Sequence, residues 1–143
     1  RYGVFCQKKF DYKLNLLNET EGDWYGSKIC LKKNLKSPQW LRDLKFKKYP
    51  FWRFDKPQNL QIIENGGWHF AYLLDSKGIS KKIKSFAHGE DNKKDNTDID
   101  KIEKKMEKLL HPTKGFELNK IKIDETFPRY IVENKEKLKE WIV

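Results

Sequence analysis

Apolar and polar residues alternate along the first stretch of the chain. Phe10, Tyr12, Leu14 and Leu16 fall between Asp11, Lys13 and Asn15. That period of two predicts a half-buried strand within Val4 to Leu17. The polar run Asn18-Glu19-Thr20-Glu21-Gly22-Asp23 reads as a turn, and Trp24 to Leu31 as a second strand. Together they predict an antiparallel hairpin. Ser37-Pro38 is a helix start, with Ser as N-cap and Pro at the first helical position. Trp40, Leu41 and Leu44 then share one face, and Lys45 to Lys48 suit the negative end of a helix dipole.

A second hairpin is expected from Leu60 to Ile63, a turn at Glu64-Asn65-Gly66-Gly67, and a strand from Trp68 to Leu74. The pattern then changes period. Ile79, Ile83 and Phe86 predict a helix over 76–86. A polar loop covers 90–97. Ile99, Ile102, Met106, Leu109 and Leu110 predict an amphipathic helix over 98–110, stopped by Pro112 and Gly115. Phe116 to Ile123 reads as a short extended piece. Phe127-Pro128 opens a last helix with Tyr130, Ile131, Leu138, Trp141 and Ile142 on its apolar side. The expected class is α/β: a mixed sheet with antiparallel hairpins, flanked by helices. No internal repeat and no Pro- or Ser-rich linker breaks the pattern, so residues 1–143 read as one domain.

Composition adds an aromatic core and a charged surface. Of 143 residues 37% are hydrophobic and 36% charged, but 14% are aromatic, and each ring buries a large apolar area. The net charge of +10 favours an anionic partner: a diphosphate, nucleic acid or an anionic membrane face. The two cysteines, Cys6 and Cys30, lie in apolar contexts and read as free thiols rather than a disulfide framework. Asn18-Glu19-Thr20 matches a glycosylation sequon. No apolar run approaches the ~20 residues of a membrane span, and no leader is visible. The first residue is Arg1, so a processed or truncated start is expected. The cytoplasm is the default location, with a Golgi-type lumen if the source is eukaryotic. An unpaired sheet edge would favour a homodimer.

Motifs for metal, nucleotide or nucleophile chemistry (HExxH, CxxC, GxSxG, Walker and GxGxxG) are missing from the sequence. The candidates concentrate between Tyr49 and Glu90. Gly66-Gly67 lets backbone approach something closely, or simply makes a tight turn. His69, between Trp68 and Phe70, is either a core histidine or a ligand. His88, two residues before Glu90, is either a ligand for metal or phosphate or a favourable charge at a helix end. Trp52-Arg53 offers a stacking ring and a guanidinium fork, unless Arg53 simply pairs with Asp55.

The run YPFWRFDKPQNLQIIENGGWHFAYL followed by ISKKIKSFAHGE resembles glycosyltransferase family 17, the family of the β-1,4-mannosyl-glycoprotein β-1,4-N-acetylglucosaminyltransferase. The residues that carry the likeness are Arg53, then Gly67-Trp68-His69-Phe70, then Ser85-Phe86-Ala87-His88-Gly89-Glu90. Trp24-Tyr25-Gly26 and Pro128-Arg129-Tyr130-Ile131 fit the flanking segments, so the likeness covers almost the whole chain. Family members carry an acidic Asp-x-Asp-Glu-like segment before the first hairpin. The present sequence has none, so it is expected to be the C-terminal part of the catalytic domain.

The resemblance implies a nucleotide-sugar transferase architecture (GT-A-like) and an inverting transfer of a sugar, with N-acetylglucosamine expected, to a glycan hydroxyl. It implies Glu64 or Glu90 as base. It implies Arg53, Lys81 or Lys82 as positive charge near the diphosphate, and Trp52 and Trp68 as stacking platforms. It implies a divalent metal, Mn or Mg, held through the missing acidic segment with His69 or His88 completing its shell. Two competing readings remain: a basic nucleic-acid-binding module, and a non-catalytic fragment.

Overall fold

The computed structural model describes residues 2–46, 49–85 and 93–143. The chain is mixed α/β, with seven short strands and five helices among those residues. They form two compact units: unit 1 holds 1–8 and 22–69, and unit 2 holds 9–21 and 70–143.

Unit 1 carries a three-stranded sheet. Strand β1 (Tyr2–Phe5) lies between β4 (Lys28–Cys30) and β5 (Leu60–Ile63). It pairs antiparallel with β4, Tyr2 opposite Cys30, and parallel with β5, Tyr2 opposite Leu60. Helix α1 (Pro38–Arg42) starts where the capping pattern predicts: the Ser37 hydroxyl accepts from the Trp40 N–H at 3.1 Å. It is shorter than expected and ends before the basic run. Val4, Cys6, Leu44 and Tyr49 are the buried apolar residues here. The Cys6 sulfur lies within hydrogen-bond distance of the Asp23 carboxylate, at 3.2 Å, and of the Tyr25 hydroxyl, at 3.4 Å.

Unit 2 carries the four-stranded sheet β6-β2-β3-β7, with β2 at Lys8–Asp11, β3 at Leu16–Leu17, β6 at Trp68–Ala71 and β7 at Asn119–Lys120. The unit boundary falls inside β2 and β6. Four helices follow: α2 (Ser76–Lys84), α3 (Lys94–Thr97), α4 (Ile99–Glu107) and α5 (Arg129–Glu133). The carboxylates of Asp75 and Asp98 cap α2 and α4. Ile79 and Ile83, one turn apart, are fully buried, as is Ile102 of α4. They share a core with Tyr12, Leu16, Ala71, Tyr72 and Leu118. Ser76 donates to Glu103 at 2.7 Å and Ser80 to the Thr97 carbonyl at 2.6 Å, fastening α2 to its helical neighbours.

Two expectations are corrected. Val4 to Leu17 is not one strand but three, and its alternation fails: Asp11 and Asn15 are as buried as Phe10 and Leu14. Asn15 earns its place through backbone partners. Its amide donates to the carbonyls of Ile121 at 3.0 Å and Val143 at 3.1 Å, and its Oδ1 accepts from the Val143 N–H at 2.9 Å. The second hairpin does not form either, since β5 and β6 enter different sheets. The backbone of Cys6 to Lys8 takes their hydrogen bonds instead. Cys6 donates to Ile63, Gly66 donates to Cys6, and Lys8 donates to Gly67, all at 2.7 to 3.1 Å. Of the 90–97 loop, residues 94–97 form α3 and 90–92 lie outside the described residues.

Among the described residues, no helix is long and apolar enough to cross a membrane.

Candidate functional site

The most tightly connected polar cluster lies in unit 2 and is built from three distant pieces of sequence. Strand β2 supplies Lys9 and Asp11. The turn after β3 supplies Asn18 and Glu21: the Glu21 N–H donates to Asn18 Oδ1 at 3.0 Å, which curls the chain back. The segment after α4 supplies His111. There Leu109 takes a left-handed backbone (φ 53°) and Gly115 another (φ 74°), so the chain reverses and His111 N–H bonds the Phe116 carbonyl at 2.7 Å. His111 Nδ1 accepts from the backbone N–H of Thr113 at 3.4 Å and Lys114 at 3.3 Å, which assigns the ring proton to Nε2. That nitrogen stands 3.8 Å from Asp11 Oδ2 and 3.9 Å from Glu21 Oε2.

Asp11 is fully buried. Asn18 donates to its Oδ2 at 2.7 Å, and its Oδ1 has no hydrogen-bond partner. Burial pushes its carboxyl above the ordinary value, against the pull of Lys9 and Asn18. Glu21 behaves in the opposite way. Burial raises it, but the ammonium groups of Lys114 and Lys9 outweigh burial and hold it at about 2. Tyr12 and Tyr72, both buried, take left-handed backbone conformations (φ 66° and 55°) in the same unit. Such conformations are uncommon for bulky residues and are held only by their surroundings.

Asp11, Glu21 and His111 are the one group among the described residues whose His, Cys, Asp or Glu ligand atoms gather within 4.8 Å. The donor set does not fit a divalent ion. Two ammonium groups already neutralise Glu21, and Lys9 occupies Oε2, the oxygen that faces His111, so an ion there would have to displace it. The cluster is a buried ion-pair and hydrogen-bond network. It also accounts for the sequon: Asn18 is 1% exposed and its amide nitrogen is bonded to Asp11 and Glu21, so it is no glycan acceptor in the folded chain.

Unit 1 presents a different surface. The segment from Tyr49 to Pro57 has no regular structure and exposes Phe51 (77%), Trp52 (61%) and Phe54 (88%). Phe51 and Trp52 meet edge to face at 5.1 Å. Arg53 donates through Nε and Nη2 to the two oxygens of Asp55, at 2.7 and 2.8 Å. That fork holds the Asp55 carboxyl at about 2. Trp52 and Arg53 line a cleft of about 350 Å³ with Asp43, Lys45, Tyr49 and Lys56.

Of the residues singled out from sequence, Trp52 and Arg53 are therefore brought together at one cleft. Arg53 also has the Asp55 partner the sequence offered it. Glu64 is exposed at the end of β5, and Trp68 is half-buried with its carbonyl accepting from Gln7 at 3.4 Å. His69 is stacked on Trp24, centroids 4.2 Å apart and planes 13° from parallel. It is not part of any three-ligand group among the described residues. Lys82, on α2 of unit 2, lies over the Tyr72 ring at 4.7 Å, and Lys81 is exposed on the same helix. His88 and Glu90 lie outside the described residues. Gly66-Gly67 does approach something closely, and it is the chain itself. A Cβ on Gly66 would stand 2.8 Å from Phe5 Cβ and 2.9 Å from the Ile63 carbonyl, and Gly67 has φ 111°.

Sequence reasoning passed over Asp11, Glu21 and His111. No local signal marked Asp11, which alternates with apolar residues as Lys13 and Asn15 do. No protein-family model, curated protein or solved structure matches the chain.

Proposed function

We propose that the chain is part of an inverting nucleotide-sugar transferase of the family 17 type, and that unit 1 holds its glycan acceptor. The observation that carries this reading is the cleft beside Trp52. The C–H face of a pyranose is apolar and stacks on an indole, while its rim of hydroxyls needs polar partners. Trp52 offers the ring. The Arg53–Asp55 fork beside it keeps guanidinium N–H groups and carboxylate lone pairs for hydroxyls, already fixed in geometry. In the reaction the acceptor oxygen attacks the anomeric carbon as the bond to the diphosphate breaks, and a carboxylate takes the hydroxyl proton. Glu64 is one of the two carboxylates proposed as base and Glu90 the other. Lys82 is proposed for the departing diphosphate. Within this reading the transferase fold is GT-A-like.

The test uses the 143-residue chain, titrated separately with UDP-N-acetylglucosamine and with chitotetraose, following the indole N–H resonances by NMR. Chitotetraose is expected to shift Trp52 with a Kd near about 1 mM, and Trp52→Ala to remove binding without unfolding the chain. If neither compound shifts any resonance at about 10 mM, the transferase reading is wrong. Glycan binding without nucleotide-sugar binding would support the acceptor half of the reading alone.

A further inference from the structure

We infer that the acceptor taken by the Trp52 cleft is an anionic glycan, one whose sugars carry carboxylate or phosphate groups; this rests on the transferase reading above. Three observations point the same way. First, the charge is divided unevenly. The 56 residues of unit 1 contain 12 Lys and Arg against four Asp and Glu, a net +8. The 87 residues of unit 2 contain 19 against 17, a net +2. Nearly all of the chain's positive excess therefore belongs to the unit that bears the cleft.

Second, two ammonium groups converge on one ring. Lys36 Nζ lies 5.0 Å and Lys56 Nζ 5.7 Å from the centroid of Trp40. No carboxylate lies within 4 Å of either among the described residues. Lys36 and the Trp40 Nε1–H both donate to the Asp55 carbonyl, at 3.2 and 3.1 Å, and the Asp55 carboxylate is taken by Arg53. Two like charges held on one ring, neither in a salt bridge among the described residues, make a place for an anion.

Third, the lining is weighted toward donors. Lys45, Arg53 and Lys56 bring three cationic donors, against the carboxylate of Asp43 and, beside the cleft, that of Asp55, which Arg53 already holds. Hydroxyls both give and take hydrogen bonds, whereas carboxylates and phosphates only take them. Single-stranded nucleic acid fits less well. Its bases need successive flat platforms, and Phe51 and Trp52 stand at 81° to each other.

The test compares hyaluronan tetrasaccharide, which alternates glucuronate with N-acetylglucosamine, against the neutral chitotetraose of equal length. N-acetylglucosamine 1-phosphate serves as the phosphate-bearing arm, and a twelve-nucleotide oligothymidine as a polyanion without sugar-face chemistry. At low salt the hyaluronan fragment should bind about tenfold more tightly than chitotetraose, and the advantage should shrink as salt is raised. Lys36→Ala, a residue outside the cleft lining, should reduce that advantage and leave chitotetraose binding unchanged, while Trp52→Ala weakens both sugars alike. If the glycosyl phosphate gains as the carboxylated fragment does, both kinds of anion are accepted. If only one gains, that one defines the class. Equal affinity for charged and neutral sugars overturns the inference and leaves the transferase reading standing. Oligothymidine binding that exceeds both sugars and survives Trp52→Ala overturns it in favour of a nucleic-acid surface. Binding of no sugar at all removes both proposals. The salt titration needs no variant, so the outcome does not depend on the substituted chains folding.

Discussion

Replacing Asn18 by Ala tests the buried network most directly. The side chain makes three hydrogen bonds: to Asp11 at 2.7 Å, to Glu21 at 3.1 Å, and from the Glu21 N–H at 3.0 Å. A bond to a charged group contributes about 1.5–3 kcal/mol and a neutral one about 1 kcal/mol. Glu21 keeps Lys9 and Lys114, so its loss is small. The dominant cost is at Asp11, which accepts from Asn18 at 2.7 Å while Lys9 Nζ stands 3.9 Å and His111 Nε2 3.8 Å away. Asn18→Ala should therefore lower stability by about 3–4 kcal/mol. That is a large share of the 5–15 kcal/mol of an ordinary domain.

The assay is urea unfolding followed by far-UV circular dichroism, because α2 to α5 all belong to unit 2. The same experiment on Asp11→Asn/Asn18→Ala should recover about 1–2 kcal/mol of the loss, since no charge is then left bare. The pH dependence has a definite sign. Burial holds Asp11 above its ordinary value in the folded chain, so its contribution improves as pH falls and worsens as pH rises through its folded value. The Asn18→Ala deficit should shrink as pH falls from neutral toward the ordinary carboxylate range, where Glu21 stays ionised. A loss below about 1 kcal/mol, or one independent of pH, would refute the buried-charge argument.

Three other outcomes follow from the same structure. Glu21, depressed to about 2 by Lys114 and Lys9, contributes stability above its ordinary value that is lost as pH falls toward about 2; carboxyl NMR titration should find its midpoint there, and one in the ordinary range would dissolve the network. Ile83→Ala, at a fully buried position of α2, should lower stability by about 2–5 kcal/mol in the same unfolding assay, and a loss near zero would place Ile83 outside the core. Gly66→Ala drives a methyl into Phe5 and the Ile63 carbonyl; a loss of about 1–3 kcal/mol is expected, with weakened hydrogen-exchange protection at Cys6 and Lys8.

What could be read in the chain depended on how far apart the deciding residues lie. Ile79 and Ile83 announce α2 because helical spacing is local, and Ser37 sits beside what it caps. Trp52 and Arg53 at one cleft, and the Arg53–Asp55 pair, involve residues that are neighbours in sequence, so their grouping was visible. The fate of β5 and β6 was not, because Cys6 and Lys8, far away in sequence, take the hydrogen bonds that a hairpin would have used. Asp11 and Asn15 were counted as surface because alternation records polarity and knows nothing of Asn18 or the Val143 backbone. His111 escaped notice because its partners, Asp11 and Glu21, lie about a hundred residues earlier.

The division of the chain has a consequence for the order of assembly. Unit 2 is discontinuous: residues 9–21 are separated from 70–143 by most of unit 1. Leu16 pairs with Lys120 across roughly a hundred residues, whereas Tyr2 finds Cys30 and Leu60 far sooner. During synthesis, strands β1, β4 and β5 are complete before any helix of unit 2 has been made. The segment carrying Asp11 and Asn18 must meanwhile wait, its apolar residues in water, until His111 and β7 emerge. Closure of that long loop is the slow step expected of such a topology. The waiting segment is short and carries Lys9, Asp11 and Lys13 among its apolar residues, a composition that discourages edge-to-edge pairing while the rest of its unit is still being made.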